Sequence, residues 1–159
     1  PDESWTAKFS WDKLQSDFKG WHPDIQRIIN LADKDECYRW ALYNRPVVQQ
    51  WSTDRVTILG DAAHSTLPYL AQGAAMAIED GAVLARALLQ SGSIPDGLEL
   101  YQQNRYERTK KVVETSNMNR RIFHLNSAAE IREHFSNRNE GDDRNGWLYS
   151  YNPLTVDLV

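Results

Sequence analysis

The sequence predicts an α/β chain with long C-terminal helices, or α+β if this segment is taken alone, and three observations lead there. Residues 56–59, Val-Thr-Ile-Leu, form a short run of β-formers ending at Gly60, the pattern of a strand buried on both faces in a parallel sheet. Residues 73–89 are apolar nearly all round and rich in alanine, which fits a helix with close neighbours on every side. Residues 95–123 carry a much longer helical pattern, opened by Pro95, in which Leu98, Tyr101, Val112 and Val113 can pack.

The remaining elements follow in chain order. Trp11, Leu14, Phe18 and Trp21 recur at helical spacing until Gly20 interrupts them, so a short helix is expected over residues 11–21. Pro23 suits a first helical turn, and Ile25, Ile28, Ile29 and Ala32 line one face of a second helix. Over residues 37–43 the aromatics Tyr38 and Trp40 alternate with Arg39 and Ala41, which predicts a strand closed by Pro46. A short helix is expected over residues 128–135, then a polar surface loop over 136–146 and an aromatic tail from Trp147 to Tyr151. Along residues 73–89 only Gln72, Glu79 and Arg86 make a polar stripe. On the long helix Arg105, Arg108, Lys110, Lys111, Arg120 and Arg121 read as a solvated outer face. This divides the chain into residues 1–46, 47–92, 93–135 and 136–159.

Composition bounds the function. Of 159 residues 41% are apolar, 25% charged and 11% aromatic, enough for a real core and unlike a disordered chain. The net charge of -4 gives no electrostatic case for a nucleic-acid or anionic-membrane partner. No apolar run approaches the roughly 20 residues of a membrane span. The single cysteine, Cys37, lies beside no Cys or His at metal-ligand spacing, so a reducing, cytoplasmic setting without a metal site is expected. The opening residues, from Pro1, carry no leader pattern and read like the middle of a fold, so the chain is expected to be a piece of something longer.

The order strand, Gly60-Asp61, loop, buried helix concentrates polar groups at the carboxyl end of a strand, where open α/β sheets bind ligands. An Asp at position 61 is placed to accept hydrogen bonds from the hydroxyls of a polyol or ribose. Gly73 permits close approach to the backbone, and the free N–H groups of Ala74 and Ala75 at the helix start favour negative charge. These residues predict a hydroxylated, electron-rich ligand. A strand-ending turn at Gly60 and an ordinary helix start at Gly73 explain the same residues without one.

The whole string Gly60-Asp61-Ala62-Ala63-His64, Pro68, Gln72-Gly73, Ile78-Glu79-Asp80 resembles the second flavin-binding motif of FAD-dependent aromatic hydroxylases, the group A flavoprotein monooxygenases. Residues 40–46, the lead-in over 51–56 and the tail at 147–151 are similar to the fungal salicylate-hydroxylase-like branch. The resemblance implies a Rossmann-like, glutathione-reductase-type FAD-binding fold, of which this chain is the C-terminal part. It implies that Gly60 belongs to the cofactor-binding set, that Asp61 accepts a hydrogen bond from the ribityl chain, that the backbone around Pro68 lies near the reactive face of the isoalloxazine, and that Gly73, Ala74 and Ala75 offer N–H groups to the pyrimidine edge. Many relatives have Asn where this chain has Ala75, a change that spares a backbone contact. The implied activity is hydroxylation of a phenolic or related aromatic substrate with NAD(P)H and O2; no catalytic residue is assigned.

No G-x-G-x-x-G string is present for the cofactor's pyrophosphate, and the family's mid-chain Asp-Gly motif is absent. Two alternatives therefore stand beside the hydroxylase: a naturally short relative without redox activity, serving as a binding module or non-redox biosynthetic catalyst, and a structural subunit completed by another chain. The missing FAD-binding half, or self-association, is expected to cover the apolar helix. His64 is read as a structural histidine or a flavin-site polar group. Glu79 and Asp80 are read as part of the polar stripe rather than a catalytic pair. His22, His124, His134 and Ser65 have no partners for metal or hydrolytic chemistry. Trp40, Tyr43 and Trp51 belong to the core or border an aromatic-substrate pocket.

Overall fold

The computed structural model describes residues 4–136 and 145–159. The chain forms two compact units, Pro1–Leu42 and Tyr43–Val159. The first contains α1 (Trp11–Asp17) and α2 (Pro23–Leu31). Ser10 caps α1 by accepting the Lys13 N–H, and the helix stops short of the expected residue 21: Phe18 and Trp21 pair edge to face at 4.9 Å around Gly20, whose φ of +84° ends the regular spiral. α2 opens on Pro23, with the His22 ring accepting the Asp24 N–H. The strand expected over residues 37–43 reduces to one antiparallel bridge between Lys8 and Tyr38, flanked by Phe9 N–H to Cys37 O at 2.9 Å and Arg39 N–H to Ala7 O at 3.1 Å. Alternation suited the segment for pairing, but only residues 7–9 supply a neighbour. None of the described residues of this unit is buried, and Trp21, Leu31 and Trp40 are exposed.

The second unit contains α3 (Asp61–His64), a 3₁₀ turn (Pro68–Leu70), α4 (Gly73–Gln90), α5 (Ile94–Phe123), α6 (Ala128–Ser136) and α7 (Gly146–Tyr149). α4 and α5 form its centre. They are joined by a short turn in which the Ser93 hydroxyl accepts the Asp96 N–H at 3.3 Å and starts α5. They approach closely at Gly97, where an added Cβ would stand 2.9 Å from Leu88 Cδ2 and 3.0 Å from Leu88 Cα. One core cluster gathers Trp51, Ala63, Val83, Ala87 and Tyr101, and a second joins Met76, Val112 and Leu148. Leu148 brings in the C-terminal strap, residues 145–159, whose backbone is gripped by side chains of both long helices. Arg86 donates to the Pro153 and Val156 carbonyls, each at 2.7 Å, and Asn104 bonds both the carbonyl and the N–H of Val159.

Four expectations are corrected. Residues 56–59 are not a strand buried on both faces: Ser52 and Thr57 form one antiparallel bridge, and Val56 and Leu59 are exposed. A strand in the interior of a sheet needs a neighbour along each edge, and here the described pairing is with residues 51–53 alone, through Thr53 N–H to Val56 O and Ile58 N–H to Trp51 O. No strand occurs among the described residues, and the regular structure of this segment is mostly helical. α4 is buried on one face only, through Met76, Glu79, Asp80, Val83 and Ala87, while Ile78 is 74% and Leu89 86% exposed. Part of the stripe read as polar and of the helix face read as solvated is packed: Glu79, Asp80 and Arg105 are buried, the last with 0% exposure, whereas Lys111, Arg120 and Arg121 are exposed as expected. Of the expected polar loop over 136–146, residues 137–144 lie outside the described residues. Among the described residues no helix is long and apolar enough to cross a membrane.

Candidate functional site: a cavity at the start of α4

Gly60 is the hinge of the site. Its backbone, at φ 59° and ψ −141°, lies in a region that side chains with a Cβ rarely adopt, and a Cβ there would come within 3.3 Å of Ala77 Cβ. The turn hands the chain straight into α3, closed by Ala63 and His64 N–H groups bonding the Gly60 carbonyl, each at 2.9 Å. Ala63 and His64 point into the core, which leaves the Asp61 side chain exposed. Arg45 supports the turn from outside by donating to the carbonyls of Asp61, at 3.3 Å, and Ala62.

From α3 the chain passes through the 3₁₀ turn opened by Pro68, reverses at Ala71 with φ 53°, and enters α4 at Gly73. The Gln72 side chain does not cap α4, and the first intrahelical bond is Met76 N–H to Gln72 O at 2.9 Å. The N–H groups before it have no intrahelical partner, so the helix start presents donors and the positive end of the helix dipole.

These segments enclose an open cavity of about 450 Å³ lined by Asp61, Pro68, Gly73 and Ala74, together with Thr66, Ala71, Gln72 and Ala77. Four of the six residues singled out in the sequence thus converge on one space. Gly60 is buried behind it, and Ala75 is half-buried in the same first turn without lining it. Of the lining residues that went unnoticed, Ala77 follows from helical spacing, four positions after Gly73. Thr66 carries no local signal. Trp51 is a core residue, whereas Trp40 and Tyr43 are exposed. Among the described residues no group of three His, Cys, Asp or Glu side chains is arranged to hold a metal ion.

Behind the cavity lies a buried ionic network. Asp80 Oδ2 accepts the Gly60 N–H at 2.9 Å and lies 2.7 Å from His64 Nε2, while Oδ1 accepts from Arg105 Nε at 2.7 Å. Burial alone would raise the Asp80 carboxyl, but bonds from His64, the Gly60 N–H and Arg105, with the guanidinium charge, hold it below the usual carboxylate range. Arg105, opposed by the same burial, is raised by its bond to Asp80 and by the nearby negative charges. The Tyr101 hydroxyl, which donates to the Ile58 carbonyl at 3.4 Å, is pushed up by burial and by Asp80. Glu79, the neighbouring carboxylate, pairs with Arg105 Nη2 at 2.8 Å and is held by both Nε and Nη2 of Arg108 at 2.9 and 2.7 Å. His64 is therefore a structural residue of this network, 1% exposed.

An exposed carboxylate, the start of a long helix and a proline-bearing turn thus line one cavity on a helical scaffold. The chain belongs to the FAD binding domain family, whose model matches residues 1–116. It is 37% identical to the 6-hydroxynicotinate 3-monooxygenase of Pseudomonas fluorescens, over all of this chain and 38% of that protein. It is 36% identical to the 3-hydroxybenzoate 6-hydroxylase of Polaromonas naphthalenivorans (strain CJ2), over 96% of this chain and 39% of that protein. The chain thus spans about two-fifths of the length of these curated relatives. Among solved structures it is similar to Klebsiella pneumoniae HpxO complexed with FAD and uric acid, at TM-score 0.69 and 29% identity, over 79% of this chain and 33% of that one. It is also similar to CtdE in complex with FAD and substrate 4, at TM-score 0.77 and 25% identity, over 96% of this chain and 37% of that one.

Proposed function

We propose that this chain is the flavin-facing, C-terminal part of an FAD-dependent monooxygenase that hydroxylates a phenolic or related aromatic small molecule with NAD(P)H and O2. The observation that carries the reading is the convergence of Asp61, Pro68, Gly73 and Ala74 on one cavity, in a chain of the FAD binding domain family. These residues fit the flavin end of the cofactor. The exposed Asp61 carboxylate accepts from ribityl hydroxyls, Gly73 lets a flat ring approach the backbone, and the free N–H groups of the first turn of α4, Ala74 and Ala75 included, face its electron-rich edge. When bound, the cofactor supplies the redox chemistry and the activation of oxygen.

The protein's own share is positioning. Gly60 aims Asp61 outward, Pro68 fixes one wall, and the dipole of α4 stabilises negative charge at its start. No residue here receives a pyrophosphate through a Gly-rich turn, so in this reading the cofactor's adenosine half is held outside this segment. The complete fold is then Rossmann-like, of glutathione-reductase type, and residues 56–59 become a sheet strand once neighbours are supplied. Residues 1–46 are assigned to the end of the substrate-domain region, residues 47–92 to the flavin-facing part, 93–135 to the C-terminal helices and 136–159 to the tail. The exposed Ile78 and Leu89 support a surface covered by the rest of the enzyme or by self-association. The setting is cytoplasmic. The test is an absorption scan of the native protein for bound flavin, with NAD(P)H consumption followed as 3-hydroxybenzoate or 6-hydroxynicotinate is added. Bound flavin and consumption stimulated by an aromatic acid support the assignment; a colourless native protein inert to NAD(P)H overturns it.

A further inference from the structure

We propose that the C-terminal strap, residues 145–159, sets the conformation of the Gly60 turn through a relay of Arg108, Glu79, Arg105 and Asp80. At the strap end, Arg108 donates to the carbonyls of Trp147 and Leu148 at 3.3 and 3.0 Å, and its guanidinium stacks 3.9 Å from the Tyr151 ring centroid. The same guanidinium holds both oxygens of Glu79. Glu79 shares its Oε2 with Arg105, Arg105 fixes Asp80, and Asp80 accepts the Gly60 N–H that keeps the turn in its positive-φ shape. Each link is charge-assisted and sits where little water competes, so displacement at one end is felt at the next.

One feature of Arg105 makes this a relay rather than a rigid block. Among the described residues its Nη1 is buried with no hydrogen-bond partner, so the guanidinium is under-satisfied where it stands. If the strap lifts, Arg108 and Glu79 meet water, Glu79 is freed from its bidentate clamp, and Arg105 can turn toward it. Its Nε then leaves Asp80, and the Gly60 turn loses the anchor that points Asp61 into the cavity. Arg86 is the built-in control, because it grips the other half of the strap through the Pro153 and Val156 carbonyls and belongs to no link of the relay.

Amide hydrogen exchange on the 159-residue chain tests this without any ligand. Arg108→Met is expected to speed exchange at Gly60, Ala63 and His64 as well as in the strap. Arg86→Met is expected to speed exchange in the strap alone. Equal acceleration of the turn by both variants, or an Arg108→Met variant whose strap opens with an unchanged turn, overturns the relay. Where far-UV circular dichroism shows Arg108→Met unfolded, Arg108→Lys, which keeps charge but loses the fork, is read the same way. A second arm uses riboflavin as probe and rests on the flavin reading: Arg108→Met weakens its binding roughly fivefold or more, Arg86→Met leaves it unchanged. An exchange result as expected with no riboflavin binding by any form upholds the relay and removes the flavin reading.

Discussion

Asp80→Ala should be the most damaging single substitution in the second unit, and the structure shows why. Asp80 is fully buried and accepts from the Gly60 N–H at 2.9 Å and Arg105 Nε at 2.7 Å, with His64 Nε2 at 2.7 Å. Alanine leaves a buried guanidinium with one carboxylate instead of two and a buried N–H without an acceptor. Removing one partner of a buried charge pair costs about 3–5 kcal/mol, because the other charge stays desolvated. Domains of this size are stable by only about 5–15 kcal/mol, so the variant should be near the edge of folding. Urea unfolding followed by tryptophan fluorescence is a suitable assay, since buried Trp51 lies 5.4 Å from the His64 ring. Asp80→Ala combined with Arg105→Met should recover part of the loss, because the orphaned charge is gone too. A loss below about 1 kcal/mol for Asp80→Ala, the range of an exposed ion pair, would refute the reasoning.

Gly97→Ala should destabilise by about 1–3 kcal/mol, since the new methyl meets Leu88 where α4 and α5 approach closely; thermal unfolding of the variant checks this. Because the folded-state pKa of Asp80 is depressed, its contribution is fully present above the ordinary value of 3.8 and is lost as pH falls through its lower folded value. Wild-type stability measured against pH should therefore fall more steeply below that point than the stability of Asp80→Ala. Gly73→Val should fold normally, the nearest atom to an added Cβ being Thr66 Cγ2 at 3.6 Å, yet weaken riboflavin binding more than Asp61→Ala does, as read by fluorescence titration.

What the sequence made legible is what local chemistry decides. The long helix expected over residues 95–123 is α5, Ile94–Phe123, because its periodicity and its serine-proline start are properties of neighbouring residues. Gly60, Pro68 and Gly73 mark three backbone events, a positive φ, a 3₁₀ start and a helix start, and these fold the loop into one cavity. The strands were not legible in the same way, because a β-prone run becomes a strand only when something pairs with it, and residues 51–53 pair with little more than Thr57. The ionic network was missed for a related reason. Arg105 lies on the same helix as Lys110 and Lys111 and looks solvated in sequence, and only the α4 carboxylates, more than twenty positions earlier, make its burial tolerable.

The central claim, that this chain receives the flavin end of FAD and not its adenosine end, is tested most directly by titrating the 159-residue chain with riboflavin and with FAD side by side, in wild type and Asp61→Ala. The account predicts weak, saturable binding of both flavins with affinities within a few-fold of each other, since no Gly-rich turn is present to reward the pyrophosphate. It also predicts that Asp61→Ala weakens both by roughly 1–3 kcal/mol, the loss of a hydrogen bond to a charged group. Absence of saturable flavin binding, FAD bound about a hundredfold more tightly than riboflavin (about 2.7 kcal/mol), or identical affinities in wild type and Asp61→Ala would contradict it.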